Sequence, residues 1–424
     1  MESWAFKPGY PLVTVSSENG MLRLDQFKFE LDTTYAPQQE TFHVPVDYAI
    51  KGASSALRSG SVMLEQRSSG PLVSYDSSEL IMVNRGRMGF YRVVYPSLSP
   101  MVADLKTASP VQSSADVFGL MDDYLEFSLS GNMTITVGHL LSVAKHVANR
   151  FTDSVPVIKA FDLFIDVLRR VPDVNATAVM DRIVANTLLN IGGVEVGQDD
   201  SHDKKLLRLA LAGTAVDLKT PSFNLLPFFR RYQADPTSVH PDLVEASFQA
   251  AMTQPTDLAT LQANAEFLLQ QYRFAVTAPS SMRRAALLAI GHCRHPTVLQ
   301  AHLRSALDGS IVRLQDMGSV LTRAAVRNDV AVFSFVGENY GTILAKYGGL
   351  GASMGGLVES VTSRFDTPEK LAEVLQFANS HDLEDHVKKD IVETLQSNID
   401  WVRKYANDVR TWFEVEHATN GVTQ

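Results

Sequence analysis

The chain has 424 residues, of which 45% are hydrophobic and 20% are charged, and this composition is typical of a soluble protein with a large core and two or more domains. Its formal net charge of -9 excludes general nucleic-acid binding, which needs clustered Lys and Arg. No apolar run approaches the roughly 18 residues of a membrane span. The single cysteine, Cys293, excludes an internal disulfide and is typical of a reducing compartment, so we expect a cytoplasmic protein with no nucleic-acid or membrane partner.

Residues 1–97 carry short alternating runs that predict a β-sandwich. Strand character is already present at residues 4–15, without a basic and apolar leader, so we expect a fragment or a truncated reading frame. Asn19-Gly20 predicts a hairpin. A shift of the apolar phase after Leu24 predicts a bulge near Asp25-Gln26. Pro45 predicts that the strand at 44–50 lies at a sheet edge.

The segment 84–95 marks the change from strands to helices. A turn from Gly86 to Gly89 leads into a predicted strand at 90–95, and Pro96 ends it. Residues 98–424 then show helical periodicity with short polar breaks and no strand pattern. The predicted helical runs are 117–125, 157–168, 179–191, 206–215, 243–251, 258–268, 298–307, 333–344, 371–378 and 391–412. Such helices bury their apolar stripes by stacking, which predicts an all-α superhelical, HEAT-like α-solenoid with irregular repeats.

Several segments together carry a family resemblance. Gly89-Phe90-Tyr91-Arg92-Val93-Val94-Tyr95 resembles the segment that closes the small β-sandwich of gluzincin zinc aminopeptidases. The helical half adds three more similar segments: 114–123, Leu207-Arg208 after Gly192-Gly193, and 312–316. The order of these segments over residues 4–414 is similar to the C-terminal region of that family, including its C-terminal helical domain of endoplasmic-reticulum-aminopeptidase type, and the puromycin-sensitive branch looks nearest.

The chain also departs from the family pattern at four positions. Val117 stands where an arginine is usual, and Phe42, Phe333 and Tyr340 stand where tryptophans are common. We expect core or packing substitutions, although the missing arginine puts a contact between domains in doubt.

The resemblance implies that this chain is the non-catalytic portion of an enzyme that removes N-terminal residues from peptides. In the complete family enzyme, an upstream domain holds zinc with His-Glu-x-x-His and a further glutamate. This sequence has no such motif. We therefore expect no catalytic residue and no cofactor on this chain, peptides as ligands, a separate or missing N-terminal catalytic domain as a partner, and a role in shaping the peptide chamber and selecting substrate length.

Arg313 and Arg323 are the candidate peptide-binding residues. By resemblance, the helical domain lines a closed chamber in which basic residues can hold the C-terminal end of a peptide, and guanidinium groups suit carboxylates. Arg283, Arg284 and Arg327 are further basic points. The alternative for Arg313 is a structural pair with Asp316 or a helix cap, and the sequence leaves both open.

Three other clusters invite a chemical interpretation. His381 and His386 are five residues apart, so they diverge around a helix and favour a solvated helix start over a metal site. His292-Cys293-Arg294-His295 lacks a second cluster to complete four-coordination, so a helix end is favoured. Gly351-Ala352-Ser353-Met354-Gly355 matches a nucleophile elbow, but that elbow needs a preceding strand, so a flexible loop between helices is favoured. The alternatives to the aminopeptidase hypothesis are a free-standing peptide- or protein-interaction module and, more remotely, a serine hydrolase.

Overall fold

Six strands are followed by sixteen α-helices in the part of the chain that the structure describes. The computed structural model describes residues 6–30, 40–52, 56–107, 109–130, 136–197, 199–275, 278–351 and 353–419. The strands are β1 (Pro11–Glu18), β2 (Met21–Lys28), β3 (Val44–Lys51), β4 (Leu57–Leu64), β5 (Leu80–Val83) and β6 (Arg92–Val94). They form two three-stranded sheets, ordered β2-β1-β6 and β4-β3-β5. The predicted order of a β-domain followed by an α-helical region is confirmed.

The hairpin predicted at Asn19-Gly20 is present. Both residues have positive φ, 53° and 74°, as a tight two-residue turn between twisted strands requires. β1 and β2 pair without interruption from Pro11↔Lys28 to Glu18↔Met21, so the predicted bulge near Asp25-Gln26 is wrong.

Gln26 explains why the bulge prediction failed. Its side chain is fully buried, continuing the inward positions of Leu22 and Leu24 with a polar residue instead of an apolar one. The Gln26 amide nitrogen lies 2.9 Å from the Phe42 carbonyl oxygen and 3.1 Å from that of Leu64, and its oxygen accepts from the Phe42 N–H at 2.8 Å. This side chain therefore fastens β2 to β4 and to the segment that enters β3, and the apparent phase shift is a buried hydrogen-bonding site.

The edge position predicted for the strand containing Pro45 is also wrong. β3 is the central strand of its sheet. β5, however, pairs only with Tyr48 to Lys51, so the first half of β3, where Pro45 lies opposite Met63, has a partner on one side alone. A proline is tolerated there because its missing N–H removes no ladder bond.

The helices account for every predicted helical run, but their bounds differ. They are α1 (Ser99–Leu105), α2 (Ser114–Leu129), α3 (Val137–Arg150), α4 (Ser154–Arg170), α5 (Ala176–Ile191), α6 (His202–Leu218), α7 (Leu226–Ala234), α8 (Pro241–Thr253), α9 (Leu258–Phe274), α10 (Ser280–Ile290), α11 (Pro296–Asp308), α12 (Met317–Glu338), α13 (Tyr340–Lys346), α14 (Met354–Thr362), α15 (Pro368–Ser380) and α16 (Asp385–Thr419). The run predicted at 333–344 is divided at Asn339, which separates α12 from α13.

Ionic and backbone contacts hold the first long helix against β6. Asp123 of α2 is buried and accepts from the Arg87 guanidinium at 2.8 Å, from Arg92 at 3.0 Å and from the Val93 N–H at 3.0 Å. Asp122 accepts from Arg92 at 2.8 Å. The Asp116 carboxylate caps its own helix and also accepts from the Gly86 N–H at 2.7 Å. Three carboxylates of α2 thus join this helix to the 84–95 segment.

The four departures from the family pattern occupy packing positions. Val117 and Phe42 are fully buried, and Phe333 is 4% exposed, with its ring edge-on to Phe365 and Phe377. The Tyr340 ring also packs edge-on against Phe377. The core or packing positions predicted for these four residues are confirmed.

The chain divides into two compact units, residues 1–211 with 403–424 and residues 212–402. The first holds the two sheets and the helices around α2, and the second has its own apolar core, which includes Leu303, Leu321 and Val358. The domain boundary predicted at 97/98 falls between β6 and α1, and it stays a prediction. None of the described helices combines the length and apolar character needed to cross a membrane.

Candidate functional site

Arg313 lies at the start of a short 3₁₀ turn, Leu314–Asp316, in the second unit. Its Nε and Nη2 atoms donate to one oxygen of Asp316 at 2.9 and 2.8 Å. The Tyr272 hydroxyl donates to the same carboxylate oxygen at 2.7 Å and accepts from Arg313 Nε at 3.2 Å. Asp316 and Tyr272 are both buried, so their positions are fixed by packing and they fix the position of the Arg313 guanidinium.

The Arg313 side chain remains 59% exposed despite these contacts. Hydrogen bonds to Asp316 and Tyr272 raise its pKa, so it is charged at any physiological pH. Nη1 donates to no residue in the described part of the chain, and an arginine carries five N–H donors in a planar fork. The arrangement can therefore offer a charged donor pair to an anion while the other side of the fork stays anchored. The structural pairing with Asp316 is observed, and the peptide-binding role stays a prediction.

Arg323 lies on α12 and is held less firmly. Its Nη2 atom is 3.4 Å from Glu245 Oε1 of α8, and the two side chains are 38% and 53% exposed. An exposed pair of this kind contributes only about 0–1 kcal/mol. Arg323 can accordingly exchange Glu245 for another carboxylate at small cost.

The other arginines singled out in the sequence divide into exposed and buried residues. Arg284 is exposed and donates to Ser319 Oγ of α12 at 2.7 Å. The Arg283 Nε atom is buried without a partner among the described residues. Arg327 is a structural residue, because its side chain is only 7% exposed and bonds to Asp217, the Val216 carbonyl and His292 Nδ1.

The cluster from His292 to His295 forms the connection between α10 and α11, as the predicted helix end requires. Cys293 is fully buried, and burial raises the pKa of its thiol. No group of three or more His, Cys, Asp or Glu residues that could hold a metal ion occurs in the described ranges.

His381 and His386 do not share a site. His381 follows the last residue of α15, where its Nδ1 lies 2.9 Å from the Phe377 carbonyl oxygen, and its ring packs on Phe377 and Tyr340. His386 lies in the first turn of α16. Only His386 fits the solvated helix start that was predicted.

Ser353 is a helix cap. Its Oγ accepts from the Gly356 N–H at 3.0 Å at the start of α14, and a 3₁₀ turn at Gly348–Leu350 precedes it where a nucleophile elbow has a strand. The segment after it is helical from Met354, so the predicted flexible loop is shorter than expected.

Arg208 and Tyr272 show which structural roles a sequence can indicate and which it cannot. Arg208, part of a segment that carried the resemblance, is 1% exposed and binds the carbonyls of Ile191 and Gly193 at the end of α5 and the Asp200 carboxylate. Its role is to fix a helix end. Tyr272, the support of Arg313, was missed because 41 residues separate the two and no local pattern connects them.

Comparison with known proteins agrees with this architecture. The ERAP1-like C-terminal domain model matches residues 80–402. The chain is 22% identical to endoplasmic reticulum aminopeptidase 2 of Homo sapiens over 442 aligned positions, which cover 98% of this chain and 44% of that protein. Glutamyl aminopeptidase of Bitis rhinoceros is 22% identical, with coverage of 99% and 44%. Endoplasmic reticulum aminopeptidase 1 of Rattus norvegicus is 22% identical, with coverage of 98% and 45%.

The chain spans less than half the length of these curated relatives. The family model, in contrast, covers most of this chain, from the start of β5 to within α16. The chain belongs to the ERAP1-like C-terminal domain family.

Proposed function

We propose that this chain is the non-catalytic C-terminal portion of an aminopeptidase, and that it shapes the chamber in which a peptide is held and selected by length. The observation that carries the proposal is the family match over residues 80–402, combined with relatives that are aminopeptidases by name and more than twice as long. The partner is a catalytic domain on the same or another polypeptide. The ligand is a peptide.

The zinc of the complete family enzyme does not fit the described residues. A catalytic zinc needs three protein ligands that converge, and no such group occurs within those ranges. The sequence also lacks His-Glu-x-x-His. No step of the hydrolysis is therefore assigned to a side chain of this protein.

Arg313 is the residue that we propose for the C-terminal carboxylate of the peptide, with Arg323 as a second contact. Support comes from the anchored but exposed guanidinium of Arg313 and from the weak, exchangeable pair of Arg323 with Glu245. An exposed guanidinium–carboxylate pair contributes about 0–1 kcal/mol, so a free carboxylate is favoured over an amide by up to about fivefold in affinity.

Fluorescence anisotropy with a labelled peptide tests this role. The peptide is prepared with a free and with an amidated C-terminus, and the two affinities are compared for the wild-type chain, Arg313→Ala and Arg323→Ala. We expect the wild type to prefer the free carboxylate by up to about fivefold, Arg313→Ala to lose most of that preference, and Arg323→Ala to reduce it.

The matched control is Arg410→Ala, which removes an exposed arginine of α16. It should bind both peptides as the wild type does. A preference for the free carboxylate that survives in the Arg313→Ala, Arg323→Ala double variant would show that neither residue holds the peptide end.

We also propose the finer architecture that the sequence predicts, a β-sandwich over 1–97 and a solenoid over 98–424. From the sequence we propose, in addition, an origin near the puromycin-sensitive branch and a cytoplasmic location. The bonds of Gln26 to Phe42 and Leu64 support two sheets that face each other. Within each unit, helices contact those one or two places along the chain, for example α3 with α4 and α5, and α8 with α9 and α10, which supports stacking. Small-angle scattering that fits only a globular helix bundle would contradict the solenoid.

A further inference from the structure

The outer strand β4 presents eight residues along one edge of its sheet. It pairs with β3 on one side, from Val44↔Leu64 to Lys51↔Leu57. Its other side is the end of the sheet order β4-β3-β5. Leu57 is 42% exposed and Met63 is 54% exposed, and the residues between them are small or half-buried.

The direction of the β4 backbone groups follows from one hydrogen bond in the same sheet. The Asp47 carbonyl accepts from the Asn84 N–H, so Asp47 turns its backbone groups toward the β5 side. Since these groups alternate along a strand, Val46 and Tyr48 turn theirs toward β4, where they meet Val62 and Gly60. The backbone groups of Ser59, Ser61 and Met63 therefore point outward.

Among the described residues, nothing bonds to these outward groups, whereas the other three sheet edges are covered. Along β2, the Leu22 and Gln26 N–H groups donate to the carbonyls of Val73 and Arg67. On β6, the Val93 N–H donates to Asp123. The outward Val83 N–H of β5 donates to the Tyr95 hydroxyl at 3.0 Å.

β4 also lacks the features that commonly protect a free edge. Such edges usually carry lysines, prolines or bulges. β4 has none of these, and its one charged residue, Arg58, is engaged with Glu79 at 2.6 Å. Gly60 is covered on its own sheet by the Tyr48 ring, into which an added Cβ would collide. β4 therefore pairs with β3 in an unbroken register, and no residue in the described ranges bonds to its outer edge.

We propose that the outer edge of β4 is a docking site for an extended peptide segment, which adds to the sheet as an antiparallel strand. Main-chain bonds to Ser59, Ser61 and Met63 would provide the affinity, and Leu57 and Met63 would contact apolar side chains near the two ends of the segment. Eight residues present about 27 Å of edge, the length of one strand.

The size of the edge decides between a peptide and a second copy of the chain. Stable protein interfaces use roughly 20–30 residues a side. Two copies that meet through this edge alone would contribute eight residues each. The edge is too short for a stable dimer, and it suits a single extended segment. This site is separate from Arg313 and does not depend on its role.

Hydrogen exchange at single-residue resolution tests the proposal on the full chain. The probe is a ten-residue synthetic peptide of alternating threonine and valine, with lysine at both ends for solubility. Saturating peptide should slow the exchange of the Ser59, Ser61 and Met63 amides by about tenfold or more. The same peptide with alternate N-methyl groups on its docking edge should leave these amides unchanged.

Three variants of the strand separate docking from folding. Ser61→Pro removes one outward N–H and no ladder bond, so the chain should fold and bind the peptide at least about tenfold more weakly. Ser61→Ala keeps the N–H and should bind as the wild type does. Met63→Lys provides a second protected edge if the proline variant does not fold. Unchanged exchange at millimolar peptide, or equal binding by a folded protected-edge variant, would overturn the proposal. So would concentration-dependent protection of the same amides without peptide, which would identify a second copy as the occupant.

Discussion

His302 is a buried ionisable residue in the second unit. It lies on α11, is 2% exposed, and neither ring nitrogen has a hydrogen-bond partner among the described residues. Burial lowers the pKa of His302 to about 4, because the charged ring would lose its hydration. The folded protein therefore keeps this histidine neutral in a pH range where the unfolded chain binds a proton.

Replacing His302 should make the protein more resistant to acid. The unfolded histidine takes up a proton near its ordinary value of about 6.5, whereas the folded one does so near 4. As pH falls through this window, stability is lost, up to about 3 kcal/mol at its lower end, and it is fully present above the window. We expect His302→Leu to lower the slope of unfolding free energy against pH between pH 6.5 and 4, measured by urea unfolding.

The control for this slope is His202→Leu, at an exposed position at the start of α6. It should follow the wild-type pH dependence. If His302→Leu has the same slope as the wild type, His302 is protonated equally in both states and the predicted acid sensitivity comes from elsewhere.

Single residues also show where sequence reasoning reaches its limit. The pairing of Arg313 with Asp316 was open to prediction, because both lie in one turn. The buried Gln26 was misread as a bulge, since a polar residue at a core position looks like a break in the apolar pattern when its partners, Phe42 and Leu64, are remote in sequence. Periodicity records which residues are apolar, and it does not record hydrogen bonds that satisfy a buried amide.

At the scale of elements, the 84–91 turn packs closely against α2, with the Arg87 side chain in contact with Gly119. Asn84 and Arg87 both have φ of 58°, which is uncommon for residues with a side chain. The turn is held by the Asn84 side chain, which bonds to the backbone of Gly89 and Tyr91, and by the Arg87 pair with Asp123. The aliphatic part of Arg87 lies over Gly119 of α2, where a Cβ would overlap its Cδ and Nε atoms.

Gly119→Ala should therefore destabilise the protein by about 1–3 kcal/mol, because Arg87 cannot move aside without leaving Asp123. Thermal or urea unfolding measures the change. The double variant Arg87→Ala, Gly119→Ala should show a smaller added cost for the alanine at 119, since the obstructing side chain is gone.

Gly213→Ala is the matched control for this helix substitution. Gly213 lies inside α6, and a Cβ there meets nothing within 4 Å. Alanine should be neutral or stabilise the protein by about 0.4–1 kcal/mol through helix propensity and a less flexible unfolded chain. Equal effects of the two glycine substitutions would contradict a specific slot for Arg87.

The sequence pattern predicted correctly whether most segments form strands or helices, but it did not predict how many helices there are. Long amphipathic runs such as 391–412 were recognised because the apolar stripe repeats many times. Several elements were missed, among them α3, α7 and α10, although α3 and α10 are 14 and 11 residues long. The division at Asn339 was also missed, since the apolar spacing continues across it from Phe335 to Ile343. Tertiary packing decides such boundaries, and a single sequence carries little of it.

At the scale of the whole molecule, the chain belongs to an aminopeptidase C-terminal domain family, and its described residues contain no metal-ligand group. The match covers residues 80–402, and the relatives extend over more than twice the length of this chain. Zinc-dependent hydrolysis needs a polarised carbonyl, an activated water and a general base within one site. The described residues bring no metal-ligand group together. Ser353 caps a helix, and the His381 ring packs against those of Tyr340 and Phe377.

The proposed non-catalytic role predicts that the purified 424-residue chain shows no aminopeptidase activity of its own. Aminoacyl-fluorogenic substrates, with and without added zinc, measure it directly. Background should equal that of an Arg313→Ala preparation purified in the same way, because a contaminating peptidase contributes equally to both. Zinc-dependent turnover that co-purifies with the wild-type chain through a denaturing and refolding step would place a reaction centre on this polypeptide, and the division between catalytic and recognition parts would then be wrong. The peptide-end preference proposed for Arg313 should be measurable without turnover, because the proposal assigns carboxylate binding to this chain and water activation to another domain.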